Sequence, residues 1–258
     1  PSGFFAAAKG FLQKGFDCIE IRRLRAGARM SESRQRLQLQ RATALATSGL
    51  HADALAQYKE LMYVQVGRTA ETSRGFVETS MALGIDTAAG QSNESERDAH
   101  LQAALEALEE MLSADPKDSW SLVKKGEILV HLAQYDAAEK QLIAAIEVAP
   151  KSAPAHFWLA KAYWAWGADK SKYRENKKYC HKRLLQAVKL DPSHAETFSL
   201  LAQLLHTVVG DTEKAMKCLL KADSLNPHDT DSARALAQHY FHDSKYEELQ
   251  VLCERVLE

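Results

Sequence analysis

Met-Leu-Ser-Ala-Asp-Pro at residues 111–116, Ile-Glu-Val-Ala-Pro at 146–150, Val-Lys-Leu-Asp-Pro at 188–192 and Ser-Leu-Asn-Pro at 224–227 end four apolar segments in the same way. Their prolines, Pro116, Pro150, Pro192 and Pro227, are spaced by 34, 42 and 35 residues. Proline lacks a backbone N–H and its ring clashes with the preceding turn, so it stops a helix rather than extending it. A stop recurring about every 34 residues reads as one helix-turn-helix unit repeated along the chain.

The residues inside the period agree. In the unit from Ser119, Gly126 stands where the first helix lets its partner approach, Ala138 where the second crosses back, and Leu142, Ala145 and Pro150 at packing and stop positions. Leu159, Ala160, Tyr163, Gly167, Leu184 and Ala187 repeat the theme from Ala153, and Leu201, Ala202, Leu205, Gly210, Ala215, Leu219 and Ala222 from Ala195. A last unit from Thr230 offers Leu236, Ala237, Tyr240, Leu249, Cys253 and Val256. This pattern resembles the tetratricopeptide repeat, which implies an all-α, right-handed superhelical solenoid of stacked hairpins. The expected organisation is a flanking helix with a basic segment at 1–30, a degenerate hairpin at 31–67, a hairpin with a long loop (84–93) at 68–118, and repeats at 119–152, 153–194, 195–229 and 230–258. The last repeat reads as incomplete at Glu258 and lacks a polar cap, so a piece of a longer array is expected.

Composition narrows the class. With 258 residues, 46% hydrophobic, only 12 Gly and 6 Pro, the chain suits a nearly all-helical protein, and a net charge of −1 gives no global push toward nucleic acid or membrane. Cys18, Cys180, Cys218 and Cys253 form no Cys-x-x-Cys pair, so reduced thiols in a cytosolic or nuclear protein are the simple reading. No apolar run is long enough to span a bilayer. Nor is there a phosphate-binding glycine loop, a nucleophile elbow or a His-Glu-x-x-His motif. His239 and His242 share a helix turn beside Asp243 without a third ligand in sight, and adjacent Cys180 and His181 point apart. Neither an enzyme nor a metal or other cofactor is expected.

Before the clear repeats, Phe4, Phe5, Phe11, Leu12, Phe16, Ile19 and Leu24 offer an apolar face followed by Arg22, Arg23, Arg25 and Arg29. A helix docked on the array with a solvated basic end and a basic arm touching nucleic acid both fit. A capping signal at Ser31 to Arg34 predicts a helix ending near Gly49, followed by a second ending near Gly67. The next pair is expected at Thr69 to Leu83 and Glu94 to Ala114.

Eight extra residues fall between Gly167 and Asn176, at the turn of the second clear repeat. From there Lys170, Lys172, Arg174, Lys177, Lys178, Lys182 and Arg183 stand against one acid, Glu175, with Tyr173 and Tyr179 interleaved. Three readings fit this cluster: a solvated turn, a contact with nucleic acid through phosphate and base stacking, and a contact with an acidic protein.

The tetratricopeptide resemblance implies that positions 2, 5, 9 and 12 of each unit face a concave groove. These are Trp120, Val123, Glu127 and Val130; Pro154, Phe157, Lys161 and Trp164; Glu196, Ser199, Gln203 and His206; Asp231, Arg234, Gln238 and Phe241. Trp120, Val123, Val130, Phe157, Lys161, Trp164 and Phe241 are the candidate partner contacts. Exposed, the three large rings Trp120, Phe157 and Trp164 would present an apolar patch beyond what a surface normally tolerates. Either neighbouring side chains of the same chain or a partner must cover it. Trp158 and Trp166 read as packing residues between hairpins. Val123, Glu127 and Phe157 stand where a carboxylate clamp of the co-chaperone kind would begin, so that role is not expected.

Residues 154–257 also resemble the tetratricopeptide scaffolds of superkiller complexes. The resemblance rests on Pro154-Ala155-His156-Phe157-Trp158-Leu159, Tyr163-Trp164 and Gly167, the lysine-rich insertion, Val208-Val209-Gly210-Asp211, Cys218, Lys221-Ala222 and Asp229-Thr230-Asp231-Ser232. It implies a non-catalytic cytoplasmic scaffold, with a nuclear pool possible, that assembles with a DExH RNA helicase and WD-repeat proteins. Such a scaffold assists 3′-to-5′ messenger RNA decay by the exosome and has no membrane or small-molecule partner. The alternatives are a tetratricopeptide adaptor of another complex and a direct RNA-binding module using Lys170 to Arg183.

Overall fold

The computed structural model of the chain describes residues 18–63, 69–86, 94–166 and 173–257. Among these residues there are twelve α-helices, one five-residue π-helical turn and no strand. They fall into two compact units, 1–107 and 108–258, with the boundary inside one helix, α4 (Glu94–Ala114).

In the first unit, α1 (Cys18–Thr47) packs on α2 (His51–Tyr63), and α2 on α3 (Ala70–Asp86). The expected helix start at Ser31 does not occur. Nothing from Cys18 to Thr47 forbids helix geometry, so the backbone runs through the capping-like Ser31 without a break. The expected stop near Gly67 and the side chains of residues 18–32 lie outside the described set. Tyr58, Leu61, Phe76, Val77 and Leu101 are buried. Gly84, expected to open a loop, is instead helical: a Cβ there would come within 2.8 Å of the Leu101 side chain. The glycine serves close packing, and the helix persists to Asp86.

The second unit is a run of hairpins: α5 (Ser119–His131) with α6 (Tyr135–Val148), α7 (Ala153–Trp166) with α8 (Tyr173–Leu190), α9 (Ala195–Leu204) with α10 (Thr212–Leu225), and α11 (Thr230–His242) with α12 (Tyr246–Leu257). Each second helix also packs on the first helix of the next hairpin. Gly126 marks the tightest crossing, where a Cβ would lie 2.5 Å from Leu142 Cδ2. Leu142, Leu159, Leu184, Ala138, Ala145 and Ala187 fill the seams, all at most 1% exposed.

The turns explain the recurrent endings. Asp115, Asp191 and Asn226 each precede a proline, and each side chain accepts a hydrogen bond from the N–H two residues on, at 3.0, 2.9 and 3.3 Å. The Asx side chain thus folds the chain back where proline has ended the helix. The next helix is then capped: Asp118 accepts from the Ser121 N–H and hydroxyl, and Asp229 likewise from Ser232.

The two helices of a hairpin are joined through a left-handed residue, Ala133 (φ 56°) after α5 and Ser244 (φ 59°) after α11, each fourteen residues past the first residue of its helix. In the third hairpin that residue is Gly210 (φ 77°), fifteen past Ala195. The extra residue is absorbed by the π-helical turn Leu205–Val209, whose wider i→i+5 bonding takes one residue more than an α turn. It accounts for the 35-residue spacing and leaves Val208 and Val209 exposed.

Candidate partner-binding cleft

The first helices of successive hairpins, α5, α7 and the start of α9, line an open cleft of about 540 Å³. Its walls are Trp120, Val123, Lys124 and Glu127 from α5, Pro154, Phe157 and Trp158 from α7, and Ser152, His194 and Glu196 at the helix starts. The helical period sets this grouping, since residues three to four apart share a face.

The aromatic wall is internally ordered. Phe157 meets Trp158 edge-on at 5.3 Å and His194 edge-on at 4.7 Å, so it is only 4% exposed. Trp158 also packs against His131 at 5.3 Å and against the core around Leu122 and Val123. The Lys161 ammonium stands 4.5 Å from the Trp158 ring centre and 5.6 Å from that of Phe157. Neighbouring side chains therefore cover much of the expected apolar patch, and Phe157 is a buried wall rather than a free ring.

Two carboxylates border these rings. Glu127, almost fully buried, accepts a hydrogen bond from Lys124 at 2.9 Å. Burial raises its pKa, against the opposing pull of Lys124. Glu196 is exposed, with the Lys161 ammonium at 3.9 Å, the outer edge of ion-pair range.

The remaining expected groove residues sit elsewhere. Val130 is buried in the core. Trp164 does not line the cleft; the ammonium of Lys177 on α8 caps its ring at 3.3 Å. Phe241, 66% exposed, meets Tyr246 edge-on at the turn of the last hairpin. Trp166 stacks on Tyr135, in keeping with a packing role.

The basic cluster divides in the same way. Lys170 and Lys172, and the side chain of Arg174, lie outside the described residues. Lys177 is buried against Trp164, and desolvation lowers its pKa. Arg183 is half-buried and lies 3.5 Å from His156 Nδ1, while His156 Nε2 lies 3.1 Å from the Pro150 carbonyl. With its Nε2 proton on the carbonyl and its Nδ1 receiving Arg183, the imidazole is held neutral, and burial lowers its pKa. Lys178 and Lys182, one turn apart on α8, are exposed with Tyr179.

Sequence reasoning assigned Trp158 to packing alone and did not select Ser152, Lys124 or His194. The usable signal was the cap position: Ser152 and His194 immediately precede the first residues of α7 and α9, which puts them at the cleft edge. No group of three or more His, Cys, Asp or Glu suited to a metal occurs among the described residues. No described helix is long and apolar enough to cross a membrane.

Residues 98–162 and 195–229 match the tetratricopeptide-repeat family. Human superkiller complex protein 3 is 31% identical over 134 residues, covering 51% of this chain and 8% of its own length. Tetratricopeptide repeat protein 37 of Xenopus laevis is 32% identical over 101 residues, covering 39% of this chain and 6% of its own length. The chain thus matches less than a tenth of either relative. Among solved structures, the thermophilic tetratricopeptide protein TTC0263 of Thermus thermophilus superposes with a TM-score of 0.60 at 20% identity, covering 79% of this chain and 97% of its own. A double mutant of MamA from strain RS-1 gives 0.51 at 19%, covering 76% and 96%. Residues 98–162 and 195–229 thus match tetratricopeptide repeats, and the described residues have the fold of a tetratricopeptide solenoid.

Proposed function

We propose that this chain is a non-catalytic scaffold that seats a segment of a partner protein in the cleft on α5, α7 and α9, and that it serves in a superkiller-type assembly. The observation that carries the scaffold reading is the cleft itself, with aromatic walls and a few fixed polar groups on successive hairpins, the composition of a recognition site. The superkiller reading draws on the similarity to human superkiller complex protein 3 over 134 residues. In that reading a DExH RNA helicase and WD-repeat proteins are the partners, the helicase supplies ATP chemistry, and the scaffold arranges them for exosome-mediated 3′-to-5′ decay in the cytoplasm. The alternative adaptor of another complex shares the cleft and differs in what occupies it. Direct RNA binding has less to draw on, because Lys177 and Arg183 are engaged within the chain.

The test is affinity purification of the tagged full-length protein beside its Trp120→Ala/Trp158→Ala variant. An RNA helicase and a WD-repeat protein should co-purify with the wild type and be lost from the variant. Neither appearing with the wild type would refute the superkiller assignment; partners retained equally by the variant would refute the cleft. Affinity for single-stranded RNA falling by about 0.7 log units per tenfold salt for each phosphate contact, and lost in Lys178→Ala/Lys182→Ala, would favour the RNA-binding alternative.

A further inference from the structure

Lys161 holds a position that asks for explanation. Its ammonium lies over two rings of the cleft wall, 4.5 Å from Trp158 and 5.6 Å from Phe157, yet its carboxylate partner Glu196 is 3.9 Å away. The rings, more than the carboxylate, hold the cation. Aromatic faces attract cations through their quadrupole, and tryptophan does so most strongly. This wall therefore already binds a cation, one supplied from within the chain.

From this geometry we infer that the cleft is a seat for an arginine side chain of an extended partner segment, which displaces Lys161 and takes its place on the rings. The inference rests on the reading that the cleft receives a partner and names what it receives. The charges fit. The cleft lining carries two carboxylates, Glu127 and Glu196, against one ammonium, Lys124, so once Lys161 swings out the lining has one negative charge in excess. The Lys161 side chain is 37% exposed, which gives it a route into solvent. Guanidinium suits the vacated place better than ammonium does: it is planar, lies flat on an indole, gives up its hydration more easily and can present two parallel N–H groups to the rim carboxylate of Glu196. Glu127 is buried and feels both Lys124 and Lys161; once Lys161 swings out, Lys124 is the one lysine of that pair still beside it, so in this low-dielectric setting an added cation regains what Lys161 gave up. An acidic side chain would instead approach two carboxylates with both nearby ammonium groups already engaged.

The experiment is fluorescence anisotropy on the full chain with three labelled nine-residue peptides. One carries two arginines among apolar residues, and in the others citrulline or glutamate replaces both arginines. The arginine peptide should bind at least tenfold more tightly than the citrulline peptide, and the glutamate peptide more weakly still. Glu196→Gln should weaken arginine binding several-fold. Lys161→Ala should strengthen it several-fold, because it removes the internal competitor; a merely structural lysine would give no gain. Circular dichroism of each variant confirms equal helicity. Tighter binding of the glutamate peptide, with loss of that binding in Lys161→Ala, would overturn the inference and assign the cleft to an acidic partner. Equal affinity for all three peptides would overturn it as well. In both of those cases, binding weakened by Trp120→Ala leaves the scaffold reading standing. No binding of any peptide, together with unchanged partners for the Trp120→Ala/Trp158→Ala variant, would bring down both.

Discussion

Leu184 and Leu185 are neighbours in α8 with the same chemistry and opposite surroundings: Leu184 is fully buried in the seam between hairpins, Leu185 is 50% exposed. Leu184→Ala removes three carbons from a closed site. At about 0.8 kcal/mol per buried carbon the transfer loss is about 2.4 kcal/mol. The cavity left among well-packed neighbours raises it to about 3 kcal/mol, within the range of about 2–5 kcal/mol for buried leucine truncations. Leu185→Ala surrenders surface already half in water and should cost less than about 1 kcal/mol. Urea unfolding separates the two, because with a slope of about 2 kcal/mol/M a loss of 3 kcal/mol lowers the midpoint by about 1.5 M. Tryptophan fluorescence makes a local probe, since Trp158, Trp164 and Trp166 lie on α7, which packs directly on α8, and Trp120 lies on α5, which packs on α7. Far-UV circular dichroism reports the whole array. Each repeat contacts only its neighbours, so the fluorescence midpoint should move at least as far as the dichroism midpoint. Equal midpoints for the two variants, or a larger loss for Leu185→Ala, would refute the assignment of the buried seam.

Ala133 occupies the left-handed region at the end of α5, with Gln134 N–H bonded to the Leu129 carbonyl at 2.8 Å in a Schellman-type cap. A Cβ there costs about 1–2 kcal/mol, so Ala133→Gly should stabilise by about 0.5–1 kcal/mol after the glycine's own entropy of about 0.5–1 kcal/mol, read as a raised melting temperature. Gly126→Ala should do the opposite: its new Cβ meets fully buried Leu142, so about 1–3 kcal/mol is lost, checked by the same melt. His156 has a pKa below its ordinary value of 6.5, chiefly because it is buried. The unfolded chain therefore binds the extra proton first, and this residue's contribution to stability is lost as pH falls from about 6.5 through the lower folded-state pKa. A stability profile between pH 7.5 and 5 should be flatter for His156→Gln than for wild type; parallel profiles would refute the buried-imidazole reading.

The parts of the fold legible in the sequence are those governed by chemistry within a few residues. Asp115-Pro116, Asp191-Pro192 and Asn226-Pro227 stop a helix and turn the chain with groups that are adjacent in sequence, and the small residues at Gly126, Ala138 and Ala145 mark crossings because no larger side chain fits there. Ser31 shows the limit of that logic. A serine with helix-forming neighbours can cap a helix or sit within one, and only the residues before it decide; here α1 has already begun at Cys18. Gly84 misleads for the related reason that a glycine beside a polar stretch reads as a loop until its packing partner, Leu101, is known.

The cleft divides along the same physical line. Helical spacing alone places Trp120, Val123 and Glu127 on one face of α5, and Pro154 and Phe157 on one face of α7, and these residues do meet. How far each ring is exposed depends on side chains supplied by other turns and helices: His194 closes over Phe157, and Lys177 of α8 covers Trp164. Lysines in a basic run read as solvated because their charge is costly to bury. Lys177 escapes the rule because its ammonium finds an indole face within its own hairpin, and Lys161 does the same over Trp158. Trp158 and Trp164 thus each carry a lysine from their own hairpin. The two differ in what lies beyond. The Trp158 ring lines a cleft bordered by Glu127 and Glu196, whereas the Trp164 ring, with buried Lys177 over it, lines no part of that cleft. An incoming cation can exchange with Lys161, whose ammonium can move into solvent. Lys177, buried over Trp164, has no such route into solvent, and so the proposed arginine seat is placed at the first of the two rings.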